Sequence, residues 1–206
     1  MPPWVWAGPL LRDGEIEMSD AVRNAAIWYA QDGFDPAAKG INGRRVAGES
    51  FLRGLLRHAD VDEFVMLAHG SATIDPVRAL AGELRPGKPV RHVSLLQTQS
   101  IAPVRTVFFP SPNFAGETWR RAPLGTNAWS LCGITHTTST AAVMQGFFDL
   151  RMAPVQPWDA VICTSKAVLA SVLHQNDLID VHIRSHFRAN PPPRPMFPVI
   201  PLGIHC

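Results

Sequence analysis

The sequence predicts an α/β fold: a Rossmann-like, mostly parallel sheet flanked by helices. Three observations lead there. Short apolar runs such as Phe64–Ala68 (FVMLA) and Asp159–Thr164 (DAVICT) alternate with stretches whose apolar residues recur every three or four positions. The runs are apolar on successive residues, which suits strands covered on both faces. No Asn-Gly turn joins two such runs, so neighbouring strands connect through crossover helices rather than hairpins.

Residues 1–24 read as an irregular extension, with Pro2, Pro3 and Gly8-Pro9 punctuating a Trp/Leu-rich start. Residues 25–206 read as one Rossmann-like domain, with no internal repeat. Ala25–Ala30 (AAIWYA) is the first strand. Gln31–Asn42 is a polar loop, because Asp32-Gly33, Asp35-Pro36 and Gly40 are turn signals. Gly43–His58 is a helix, carried by Val46, Phe51, Leu52, Leu55 and Leu56. After the strand Phe64–Ala68, Pro76–Leu84 forms a helix with Asp75 as N-cap and Pro76 in its first position. His92–Leu96 and Thr106–Phe109 are two further strands. Pro110–Thr126 is a loop with one helical turn at Glu117–Arg121. Leu131–Thr135 is a strand leading to a helix from Ala141. Asp159–Thr164 is the next, and Ser165 caps a helix over Lys166–His174. Gln175–Ala189 continues helical until Pro191–Pro193 breaks it, and Pro198–Leu202 is a last short strand.

With 206 residues, 46% hydrophobic and 17% charged, the chain is of ordinary globular composition. A net charge of +2, with no block of Lys or Arg, gives no nucleic-acid footprint. Three cysteines, Cys132, Cys163 and Cys206, form an odd set and read as reduced core thiols of a cytoplasmic protein. No run of 18 apolar residues suggests a transmembrane segment, and no leader pattern is evident.

Several motif-like spacings carry little. Gly82–Lys88 spells G-x-x-x-x-G-K, but Pro89 stands where a phosphate loop needs a hydroxyl, and the segment begins inside a helix. His182 and His186 share a helix face without a third ligand and suit a solvated surface. Neither G-x-S-x-G nor G-x-G-x-x-G occurs. Two stretches carry more. In Leu131–Val143 (LCGITHTTSTAAV) an apolar strand ends in His136, followed by Thr137, Thr138, Ser139 and Thr140 before a helix. Ligands of open α/β sheets sit outside the carboxyl ends of the strands, which is where this places His136. In Gly40–Gly48 (GINGRRVAG), glycines at 40, 43 and 48 allow close backbone approach to a ligand at a helix N-terminus. Arg44 and Arg45 add charge suited to phosphate or carboxylate. A flexible turn with two solvated arginines is the plainer alternative.

Four stretches, in order, resemble the N-terminal domain of retaining family 4 glycosyltransferases of the GT-B type. They are GRRVAGESFLRGLLRH (Gly43–His58), FFPSPNFAGETWRR (Phe108–Arg121), WSLCGITHTTST (Trp129–Thr140) and PVQPWDAVICTSKAV (Pro154–Val168). The last is followed by VIPLGI (Val199–Ile204). The bacterial branch in question more usually shows Leu-Met and Gln where this chain has Ile41-Asn42 and Arg45. The resemblance implies one half of a two-domain enzyme whose N-terminal domain holds the acceptor and whose C-terminal domain holds a nucleotide-sugar donor. VIP-x-G leads into that donor domain in the family, and the sequence stops at Cys206. The C-terminal domain is therefore the expected intramolecular partner, and the fragment is expected to have little or no activity alone.

The resemblance also implies roles. His136 matches a histidine beside the transferred sugar, where it contacts donor hydroxyls and stabilises an oxocarbenium-like transition state. Gly43 would meet the donor diphosphate, with Arg44 near the phosphate or acceptor. Trp119 and Arg120 would line the acceptor side. Thr137, Thr138, Ser165 and Lys166 would face the cleft, although helix capping explains them equally. The nucleotide-sugar is a co-substrate, and no cofactor or metal is implied. A non-catalytic Rossmann-like binding or scaffold module is the alternative. A sugar-nucleotide epimerase of related fold fits the THTTST and WDAVICTS stretches less well.

Overall fold

A computed structural model describes residues 25–34, 43–135 and 137–202. They form a six-stranded sheet flanked by helices. Its strands are β1 (Ala26–Trp28), β2 (Phe64–Ala68), β3 (Val90–Ser94), β4 (Thr106–Phe109), β5 (Ser130–Thr135) and β6 (Ala160–Cys163). The helices are α1 (Gln31–Phe34), α2 (Gly43–His58), α3 (Asp75–Leu84), α4 (Ala115–Arg121), α5 (Ala141–Met152) and α6 (Lys166–His186). Every strand pair is parallel, in the order β3-β2-β1-β4-β5-β6. The order reverses between β1 and β4, and that reversal leaves a crevice at the carboxyl ends of the strands.

The apolar strands divide their side chains between two cores, as a period of two requires. On one face Ala26, Leu67, Val107, Leu131 and Val161 pack with Phe114, Phe147, Leu150 and Val172. On the other, Ile27, Met66 and Phe108 pack with Leu52, Leu56, Val77 and Ala81 from α2 and α3. Each large apolar side chain buried this way contributes about 1.5–3 kcal/mol. β2, inside the sheet, is buried at all five positions. The edge strand β3 is buried only at Val93 and carries Arg91, whose Nε lies 3.1 Å from Glu63 Oε1. A charged edge of this kind discourages pairing with another chain.

Two buried ion-pair groups tie the helices down. The Arg121 guanidinium of α4 donates to both carboxylate oxygens of Asp159, at 2.6 and 2.7 Å, and to the Trp129 carbonyl at 2.7 Å. Asp159 in turn accepts from the backbone N–H of Leu131 and Gln156. Arg151 of α5 donates to Asp180 of α6 through Nε at 2.9 Å, and Arg194 Nε reaches the other oxygen at 3.0 Å. Burial alone would raise the Asp180 carboxyl, but Arg194 and Arg151 outweigh it and hold the group below its usual range.

Several expected elements differ from those observed. The first strand is confined to Ala26–Trp28, and Gln31–Phe34 is a helical turn rather than loop. Asp75 does not cap α3: Ile74 precedes the helix without a side-chain cap, and Asp75 lies inside, accepting from Arg78 Nη1 at 2.6 Å. β3 runs two residues earlier than His92–Leu96. The helix from Lys166 continues as expected through the following stretch, as the 21-residue α6, and ends at His186 rather than Ala189. Pro198–Leu202 forms no strand; only Met196 and Val199 bridge to β6. Pro195, Pro198 and Pro201 lack the N–H a ladder needs, and the stretch donates to β6 and the residue before it through the N–H groups of Met196 and Ile200.

Candidate functional site

The carboxyl ends of the strands bring most of the sequence-predicted residues to one edge of the sheet. α2 starts at Gly43 and runs back toward β2, so its N-terminus lies on that edge, just past β1. Arg45 Nε donates to the Asp32 carbonyl at 3.1 Å, tying this end of α2 to the turn after β1. Thr135 ends β5 opposite Cys163 of β6. Thr137 and Thr138 therefore emerge beside Ser165 and Lys166, on the far side of β4 from α2. His136, residues 35–42 and the Arg44 side chain lie outside what the structure describes, as do residues 1–24 and Cys206.

The hydroxyls divide by role. Thr140 Oγ1 accepts from the Val143 N–H and caps α5, and Ser165 Oγ accepts from the Val168 N–H and caps α6. Thr137 is exposed and shares a hydrogen bond with Ser139 at 3.2 Å. The Thr138 carbonyl accepts from Gln175 Nε2 at 3.5 Å. Lys166 is exposed at the start of α6.

Glycine 48 has a packing role. A Cβ there would fall 2.1 Å from the Gly33 carbonyl oxygen, so its missing side chain lets α1 and α2 touch. The expectation that Gly48 serves a ligand's approach gives way to that contact.

α4 presents the least expected geometry. It buries Glu117, Thr118 and Arg121 and leaves Trp119 59% exposed. Residues two apart on a helix point to nearly opposite sides, so Trp119 faces away from Glu117. Arg120 is committed within the chain: its Nη1 donates to the Leu95 carbonyl at 2.5 Å, and its Nε lies 3.1 Å from Glu117 Oε2. Burial pushes the Glu117 carboxyl above the usual glutamate range, partly offset by Arg120, the Trp28 indole and His69. Sequence reading missed Glu117, because a charged residue on a short helix reads as solvated.

The remaining candidates stay apart from this edge or from chemistry. Burial pushes the Cys132 thiol up to about 11 and raises Cys163 as well, so neither is a ready nucleophile at neutral pH. His182 and His186 stack at 5.0 Å on the exposed face of α6. Among the described residues no group of three His, Cys, Asp or Glu could hold a metal ion. Asp60-Val61-Asp62 is an acidic segment between α2 and β2. It precedes β2, at the opposite edge, and Asp62 lies 3.9 Å from Lys88 Nζ. Lys88 thus belongs to a surface pair, and Gly82 lies within α3. Among the described residues no helix is long and apolar enough to cross a membrane.

Comparison with protein-family models, curated proteins and solved structures gave no match.

Proposed function

We propose that this chain is the N-terminal, acceptor-side domain of a retaining, nucleotide-sugar-dependent glycosyltransferase of the GT-B type. The observation that carries the reading is a coincidence of motif and edge. Each of the four stretches that resemble the family crosses the carboxyl edge of one parallel sheet: the start of α2, the β4–α4 segment, the end of β5 and the end of β6. Ligand sites of open α/β sheets lie at that edge.

In this reading a hexosyl group passes from a nucleoside diphosphate to an acceptor hydroxyl. The bond from the anomeric carbon to the phosphate oxygen breaks and the bond to the acceptor oxygen forms. The leaving diphosphate takes the acceptor's proton. His136 contacts the sugar hydroxyls and stabilises the positive charge that develops on the ring. The N–H groups at the start of α2 meet the diphosphate, as helix N-termini do. A second domain supplies the donor wall, so activity belongs to the pair of domains.

The test is co-expression with a donor-binding domain of the same class, with proton NMR of the product formed from a panel of nucleotide-sugars. Turnover with retained anomeric configuration supports the reading; inversion or no turnover opposes it.

A scaffold or binding module is the second reading, favoured by one observation. Met144, Phe148 and Met152 form an exposed apolar stripe at four-residue steps along α5, a surface suited to a partner. Size-exclusion chromatography separates the two: a stable monomer speaks for an independent module, and self-association for a domain whose apolar surface is built to face a second domain.

A further inference from the structure

Glu117 occupies the first turn of α4, with its side chain 11% exposed. Two of its neighbours come from strand ends and the third from its own helix. Trp28 closes β1, His69 follows β2, and Arg120 reaches across to the Leu95 carbonyl just past β3. The buried Trp28 indole N–H and the buried Arg120 Nε–H complete no well-aligned hydrogen bond. On the same helix Arg121 meets both oxygens of Asp159 as a bidentate pair, whereas Glu117 is approached by Arg120 Nε at 3.1 Å and by the Trp28 indole, neither of them well aligned. A buried carboxylate held this loosely retains lone pairs for another donor.

The surroundings restrict what that donor can be. Arg120 is in place, so a second cation meets repulsion, and an anion meets the carboxylate itself. A neutral hydroxyl donates to a carboxylate without either cost. The position, beside the crevice left by the β1–β4 reversal, is where a small ligand of this fold would lie.

We propose that Glu117 is a hydroxyl-binding carboxylate on the β1–β3 side of the crevice, where it takes a neutral sugar or polyol, with Trp28 and Arg120 as positioning residues. This rests on the transferase reading, in which the hydroxyl compound is the acceptor.

The test uses the full chain, titrated with maltose, mannose and glycerol as neutral probes and with glucosamine as a cationic one. Binding is followed by calorimetry and by the NMR signal of the Trp28 indole N–H. At least one neutral probe should give a saturable shift of that signal, and Glu117→Gln should weaken its binding about tenfold. The wild-type affinity should fall as pH drops through the raised carboxyl range, while the Glu117→Gln profile stays flat there; a purely structural Glu117 would not produce that difference. Trp28→Phe, read by calorimetry, guards against a Glu117→Gln variant that fails to fold, and it too should bind more weakly. The proposal is overturned if no neutral probe binds, if both variants bind like wild type, or if glucosamine binds tightest. Loss of sugar binding with transferase turnover intact removes this inference alone. Loss of turnover with sugar binding intact removes the transferase reading and leaves a sugar-binding domain.

Discussion

Arg121 and Asp159 meet as a fully buried bidentate pair, 2.6 and 2.7 Å apart at their two contacts, and join α4 to the start of β6. Removing one partner leaves an uncompensated charge in the core. Asp159→Ala is therefore expected to lower stability by about 3–5 kcal/mol. The double variant Arg121→Met/Asp159→Leu, which buries no charge, should lose less. Urea denaturation followed by circular dichroism checks both, and equal losses would contradict the assignment.

Two glycines of α2 are expected to respond with opposite sign. At Gly48 an alanine Cβ would collide with the Gly33 backbone, so Gly48→Ala should cost about 1–3 kcal/mol by forcing α1 and α2 apart. At Gly54 nothing lies within 4 Å of the same atom, so Gly54→Ala should stabilise by roughly 0.5–1 kcal/mol through helix propensity. Thermal midpoints of the two variants on either side of wild type would bear this out; a neutral Gly48→Ala would not.

Much of the fold is legible in the residues. α2, β2 and β4 fall on their expected boundaries because dense apolar spacing specifies them. The helical turn Gln31–Phe34 was hidden by Asp32-Gly33, since nothing local announces that Gly33 must touch Gly48. α4 inverts the usual rule: Glu117 and Arg121 turn inward while Trp119 turns out, because distant partners, Asp159 above all, decide which face is buried. The resemblance picked out Trp119 and Arg120 there and passed over the carboxylate three residues before Arg120. For the hydroxyls after β5 and β6, the caps on α5 and α6 were foreseeable from Thr140 and Ser165 standing just before apolar helices.

Those caps give a direct separation of structure from chemistry. Thr140→Ala and Ser165→Ala should each cost about 1 kcal/mol of stability. If capping is the whole of Ser165's role, its removal leaves the proposed sugar transfer, assayed with an added donor-binding domain, unchanged once the protein is folded. A loss of turnover far beyond the loss of folded protein would give Ser165 a place among the substrate contacts.

The Cys132 thiol, held at about 11 against its ordinary 9.0, should be slow to alkylate. Near pH 8 the difference corresponds to about a hundredfold smaller thiolate fraction than in unfolded chain. Iodoacetamide labelling mapped by mass spectrometry checks this, and native labelling as fast as in urea would contradict it.

Asp180 and Glu117 should shape the pH dependence of stability in opposite directions. The Asp180 carboxyl is held low by Arg194 and Arg151, so its contribution is present above the unfolded carboxyl range and fades as pH falls through its lowered value. The Glu117 carboxyl is raised, so the folded state holds its proton longer. Its contribution is present at low pH and is lost as pH rises through the raised value. Asp180→Asn should therefore flatten the acid limb of a stability–pH curve, and Glu117→Gln should remove the decline that lies just above the ordinary glutamate range. Denaturant midpoints measured from pH 3 to 8 decide the matter, and coincident curves for both variants and wild type would refute it.

The central claim is that the crevice beyond β5 handles a nucleotide-sugar through His136. Its most direct measurement is nucleotide-sugar turnover by this domain paired with a donor-binding domain, compared between wild type and His136→Ala at matched thermal stability. The account predicts a fall of at least about a hundredfold, on the order of the loss seen when one group stabilising transition-state charge is removed. Full turnover in His136→Ala would contradict it.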